Sequence, residues 1–141
     1  MKYLNILINL FLIIHLQLFS QETNSICQIA SNSSRIISIG SSITEIIYFL
    51  ESQDQIIAID ITSNFPEETK KLPSIGYIRN LSAEGLLSTK PSIIISENDI
   101  GPANVIKQIE NTKIELRIIP EEQTFNGILE KIKCVGQIIG K

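Results

Sequence analysis

The chain has 141 residues, 43% of them hydrophobic and 19% charged, which is enough for one domain with a real core. Twelve basic and fifteen acidic residues give a formal net charge of −3. A nucleic-acid binder would be basic with its cations clustered, so that class is set aside.

Residues 1–20 read as a secretory signal peptide. Lys2 supplies a short positive region, and the apolar centre runs from Leu10 to Leu16. Leu18-Phe19-Ser20 offers a cleavage site before Gln21, with small Ser20 at the last position. Asn5, Asn9, His15 and Gln17 interrupt the run, which argues against a spanning helix. Cleavage would remove His15, the one histidine in the sequence. The remaining chain then has no imidazole for metal ligation or general-base work, and many enzyme classes fall away.

Residues 21–34 are rich in Gln, Ser, Asn and Thr and read as a flexible leader. The two cysteines are Cys27 and Cys134. An oxidising compartment would allow them to join. The helical pattern around Cys134 favours a small core residue instead. Asn24-Ser25-Ile26 lacks the pattern that precedes a lipidated cysteine.

From there the elements alternate. Arg35 to Ile39 is a strand, ended by Gly40. Ser42-Ile43-Thr44-Glu45 has capping-box spacing and opens a helix to about Leu50, with Ile43, Ile46, Ile47 and Leu50 on one face. Ile56 to Asp60 is a second strand, and a polar loop runs from Ile61 to Pro73. Ser82 caps a short helix over Ala83 to Ser88, which Lys90-Pro91 stops. Ser92 to Ser96 is a third strand, with Glu97 to Gly101 as the loop at its carboxyl end. Pro102 leads a helix over roughly Ala103 to Asn111. Ile114 to Ile119 is a fourth strand, and Thr124 begins a last helix with Ile128, Ile132, Val135 and Ile139 as its apolar face.

Short apolar strands alternating with amphipathic helices imply an α/β fold with a parallel, helix-covered sheet. Ligands of such sheets gather outside the carboxyl ends of the strands. Three loops fall there: Gly40-Ser41-Ser42, the segment from Ile61 to Arg79, and Glu97 to Gly101. Gly40-Ser41-Ser42 could hold an anion on backbone N–H groups, but it lacks any dinucleotide or Walker glycine pattern, and simple N-capping is the favoured role. Glu97 and Asp99 are close in sequence, but two carboxylates on one loop are weak evidence of acid–base chemistry. Glu84 sits in a first helical turn, where a negative charge suits the helix dipole.

The stretch LPSIGYIRNLSAEG, Leu72 to Gly85, is the most unusual. Tyr77 follows a glycine and precedes Arg79 by two residues. A phenol is a hard oxygen donor, and a permanent cation beside it favours phenolate or pairs with a carboxylate. Such a pair suits ferric haem with its propionates. A packed tyrosine beside a solvated arginine is the simpler alternative.

RIISIGSSITEIIYFL, IIAIDITSNFP, LPSIGYIRNLSAEGLLSTKPSIIIS and GPANVIKQI together resemble the amino-terminal lobe of a periplasmic haem-binding protein. These proteins are substrate-binding components of haem ABC importers, within the wider cluster of B12, ferric-siderophore and haem binding proteins. The resemblance runs from Arg35 and continues weakly to Gly136, and the run G-Y-x-R-x-L-S-A-E-G is its most specific part; it implies a lobe over residues 35–141 that ends in the start of the interlobe helix. It implies a Rossmann-like lobe that performs no chemistry. Tyr77 would be the axial ligand of ferric haem b carried as cargo, and Arg79 would support the phenolate or a propionate. Ser41, Ser42 and the Glu97–Gly101 loop would line the cleft, and Glu84 would dock on the inner-membrane permease.

Members of this family carry a second lobe, which the sequence does not contain. A truncated or split product, or an incomplete sequence, is therefore expected, with a separately encoded second lobe as one possible partner. One wall alone should bind haem weakly and open-faced. The competing readings are a corrinoid or ferric-siderophore lobe of the same transporter class, an α/β enzyme domain, and a non-functional remnant.

Overall fold

The computed structural model describes residues 26–141. The signal-peptide reading of residues 1–20 and the first five residues of the leader lie outside the described residues.

Four strands, β1 (Ile36–Ile39), β2 (Ile56–Ile59), β3 (Ile93–Glu97) and β4 (Glu115–Ile119), form one parallel sheet in the order β2-β1-β3-β4. β1 and β3 run side by side, with Ile36 opposite Ile93 and Ile39 opposite Ser96. Their isoleucine runs are buried on both faces, as a covered parallel sheet requires. Side chains alternate between two cores. Ile36, Ile93 and Ile95 pack beneath α1 (Ser41–Phe49) and α4 (Phe125–Ile139). Ile37, Ile39 and Ile94 pack beneath α2 (Ala83–Ser88) and α3 (Ala103–Glu110). Each of these buried isoleucines contributes about 1.5–3 kcal/mol.

The polar loop after β2 returns along the sheet's edge. Ile59 N donates to Pro73 O at 3.0 Å, and Ile75 N donates to Ile59 O at 2.8 Å. The chain therefore leaves β2's flank in the parallel direction and delivers Gly76 and Tyr77 to the carboxyl rim. α2 is too short to persist alone. It is held by Ala83 and Leu86 in the core and by Ser82, whose Oγ accepts from Gly85 N at 2.9 Å.

Three expectations are corrected. The leader is tied down from Ile26 onward: Ala30 N donates to Ile138 O at 2.9 Å, and Ser31 donates twice to Glu115. Polar composition alone did not reveal these anchors. Cys134 is not a free core residue. It is joined to Cys27, 107 residues away, with the two Cα atoms 4.7 Å apart. Third, the buried face of α4 comprises Lys131, Cys134, Val135, Gly136, Ile138 and Ile139, while Ile128 is 57% exposed. At the start of α4, Phe125, Ile128 and Leu129 are exposed.

Candidate functional site

The strand order reverses between β1 and β3, because the chain passes from β1 to β2 on one side and later to β3 on the other. The loops leaving these two neighbours therefore diverge, and the crevice between them is the usual ligand position in open α/β sheets. Here the crevice is bridged by the chain itself. Glu97, at the end of β3, accepts from Ser42 N at 3.1 Å and from Ser42 Oγ at 2.6 Å.

This corrects the capping-box reading. α1 begins at Ser41, its N-cap is Gly40, and no cap side chain comes from its own first residues. Glu45 is exposed. The helix is capped instead by a carboxylate 55 residues away. Gly40 makes this possible in two ways. Its φ of 99° is unfavourable for a residue with a side chain, and a Cβ there would lie 2.3 Å from Glu97 Cδ. Lys131 Nζ stands 3.7 Å from Glu97 Oε1 and 3.6 Å from Glu121 Oε1, buried and without a hydrogen bond among the described residues.

Behind the crevice lies a buried polar chain that sequence reasoning missed. The Asp60 carboxylate, fully buried at the end of β2, accepts from Gly40 N at 2.9 Å, Ser63 Oγ at 2.8 Å, Thr62 N at 3.0 Å and Thr62 Oγ1 at 2.6 Å. Thr44 Oγ1 donates to Ser63 Oγ at 2.8 Å and lies 2.7 Å from Ser38 Oγ. A strand-end aspartate followed by Thr62 and Ser63 was the available signal, since aspartates of this kind bind backbone N–H groups two residues on.

The Tyr77 group occupies the other side of the same rim. Gly76 turns the chain with a φ of 97° and nothing near its missing Cβ, so the glycine is there for conformation alone. Tyr77 is 41% exposed, whereas the next residue, Ile78, is buried beneath α2 and α3. Ile78 thus anchors the bend and leaves the phenol outside. Two backbone bonds lock this turn to the loop after β3: Gly101 N donates to Ile78 O at 2.9 Å, and Leu81 N donates to Gly101 O at 3.0 Å. Arg79 donates to Asp99 Oδ2 from Nε at 2.9 Å and from Nη2 at 2.8 Å. The hydrogen bonds that Arg79 donates to Asp99, then the adjacent Tyr77 phenol and the Asp99 charge, push the Arg79 guanidinium pKa further upward.

The structure therefore brings Tyr77, Arg79 and Asp99 together and gathers Ser42, Glu97 and Lys131 separately. Glu97 and Asp99 do not act as a pair. Ser41 is half-buried beside Ser42. Glu84 is exposed in the first turn of α2, and its carboxylate has no ion pair among the described residues. No cluster of His, Cys, Asp and Glu able to hold a bare metal ion occurs among the described residues. A single phenol could bind iron only where the cargo supplies the remaining ligands, as a porphyrin does.

A family model described as "Periplasmic binding protein" matches residues 36–141. Among curated relatives, an uncharacterised ABC transporter substrate-binding lipoprotein, YvrC, of Bacillus subtilis is 26% identical over 120 residues, covering 84% of this chain and 38% of that protein. A vitamin B12-binding protein of Pectobacterium carotovorum is 29% identical over 82 residues, covering 58% of this chain and 30% of that protein. Among solved structures, the periplasmic heme-binding protein RhuT from Roseiflexus superposes with a TM-score of 0.71 at 37% identity, covering 75% of this chain and 41% of that one. The chain thus spans well under half the length of each of these proteins, and its fold is that of one lobe of a two-lobed structure.

Proposed function

This chain belongs to the periplasmic binding protein family, and from that premise we propose that it binds ferric haem outside the inner membrane and delivers it to the permease of an ABC importer. It is a carrier lobe rather than an enzyme. The observation that carries the reading is the Tyr77 phenol, held outside the core on a glycine bend at the carboxyl rim, with a guanidinium beside it. Two chemical demands of ferric haem meet there. The iron takes a hard anionic oxygen as axial ligand, and the propionates take an arginine. The haem-binding structure at 37% identity supports the choice of cargo.

In this reading Tyr77 is the axial ligand, and Arg79 stabilises the phenolate or takes a propionate. Ser41, Ser42 and the Glu97–Gly101 loop form the crevice wall. Glu84, exposed beside the rim, is the docking acid for the permease. A second lobe covers the opposite face of the porphyrin, and this lobe alone binds haem with reduced affinity, because half the apolar ring surface stays in water. A corrinoid is the second reading, favoured by the vitamin B12-binding relative. It makes no use of a phenolate or of an arginine for carboxylates.

The test is a titration of the purified chain with hemin and, separately, with cyanocobalamin, followed by visible absorption. Haem binding through Tyr77 gives a ferric–phenolate charge-transfer band that Tyr77→Phe abolishes. Uptake of cyanocobalamin in preference to hemin would replace the haem reading with the corrinoid one.

A further inference from the structure

Resting on the haem reading above, we infer that Asp99 is an internal competitor for the cargo's acid group: it holds Arg79 in the empty lobe, yields it to a ligand carboxylate, and so limits affinity and promotes release. Four observations lead there. First, both Arg79 donors converge on one oxygen, Asp99 Oδ2. A guanidinium binds a carboxylate most strongly as a fork with one N–H on each oxygen. A ligand carboxylate meeting Arg79 in that fork would therefore gain more than Asp99 loses.

Second, the contact is open to exchange. The Arg79 side chain is 64% exposed and that of Asp99 37%. Ion pairs of this kind are individually weak. Third, Asp99 Oδ1 is buried and has no hydrogen-bond partner among the described residues. Once Arg79 turns to a ligand, Asp99 loses its ion-pair partner, and its carboxylate is left beside the acid group that displaced it, which it repels. Fourth, the two loops are joined backbone to backbone through Ile78, Leu81 and Gly101. The ion pair is not what holds them, so it is free to serve another purpose. A carrier has to surrender its cargo, and a resident carboxylate that recaptures the arginine lowers the barrier to release.

The experiment compares hemin and haem dimethyl ester, which lacks the free acid groups, on the purified wild-type chain, Asp99→Asn, Arg79→Gln and the double variant. Asp99→Asn keeps the size of the side chain and removes its charge. The expected result is hemin bound about two- to five-fold tighter by Asp99→Asn, with slower dissociation and a gain that shrinks at high salt. The ester should show no gain, nor should hemin when Asp99→Asn is placed in the Arg79→Gln background. If wild type binds hemin and Asp99→Asn binds it equally or more weakly, Asp99 orients Arg79 rather than competing with the cargo, and the inference is overturned while the haem reading stands. If wild type takes up no hemin, the haem reading fails and this inference falls with it.

Discussion

The two sides of the rim are built to different standards. On the α1/α4 side, the carboxylates at the crevice are buried or half-buried and well satisfied: Asp60 accepts four hydrogen bonds, Glu97 caps α1 from the end of β3, and a disulfide fastens the amino-terminal segment to α4. On the α2/α3 side, the helices have six and eight residues, and the polar group at the rim is one exposed ion pair beside an exposed phenol. Rigidity is concentrated where the crevice is already filled by the chain's own carboxylate. Exchangeable contacts are concentrated where cargo chemistry is available. In the proposed reading the first side is mainly scaffold and the second is the working surface.

Substitutions on the first side should therefore cost stability, and those on the second should cost binding. The largest effect is expected from the disulfide. Replacing Cys27 and Cys134 with serine reopens a 107-residue loop and should cost about 4–5 kcal/mol, read as a lower thermal midpoint that dithiothreitol reproduces in the wild type. Asp60→Asn comes next. The amide has one oxygen where the carboxylate has two, so the backbone N–H of Gly40 or of Thr62 loses its partner, and denaturant melts should show a loss of about 3 kcal/mol. Glu97→Ala removes the cap of α1 and should cost about 1–2 kcal/mol, with hydrogen exchange accelerated at the Ser42 amide.

A smaller effect concerns pH. Burial works to raise the Glu115 pKa, but bonds from Arg117 and Ser31 outweigh it and hold the carboxyl below its usual range. Its stabilising contribution is complete above the unfolded-state pKa and is lost as pH falls through the lowered folded value. The melting temperature of Glu115→Gln should therefore converge on that of wild type in acid. The smallest stability effect belongs to Tyr77→Phe, within about 0.5 kcal/mol, because the phenol lies outside the core. A larger loss there would blur the division between scaffold and working surface.

Much of this was legible in the sequence, for local reasons. Isoleucine runs punctuated by Gly40, Pro91 and Pro120 mark the strands, and Ser82 before Ala83-Glu84-Gly85 marks a capped helix whose observed span is the expected one. The Gly76-Tyr77 bend was legible because a glycine before an isolated aromatic announces a turn. What was not legible depends on distance in space. The capping-box spacing of Ser42 and Glu45 was a false local signal, overridden by Glu97 from another strand. The polar leader concealed the partners of Cys27, Ala30 and Ser31, all more than 80 residues away. Periodicity assigned Ile128 to the core face of α4, but it cannot say which turns of a helix the rest of the chain covers, and Ile128 is exposed.

The central claim is that Tyr77 presents its oxygen to iron, and the most direct measurement is the visible spectrum of the ferric hemin complex of wild type beside that of Tyr77→Phe. The account predicts a phenolate-to-iron charge-transfer band in the first and none in the second, with both proteins melting at the same temperature. A band of equal strength in both would contradict it.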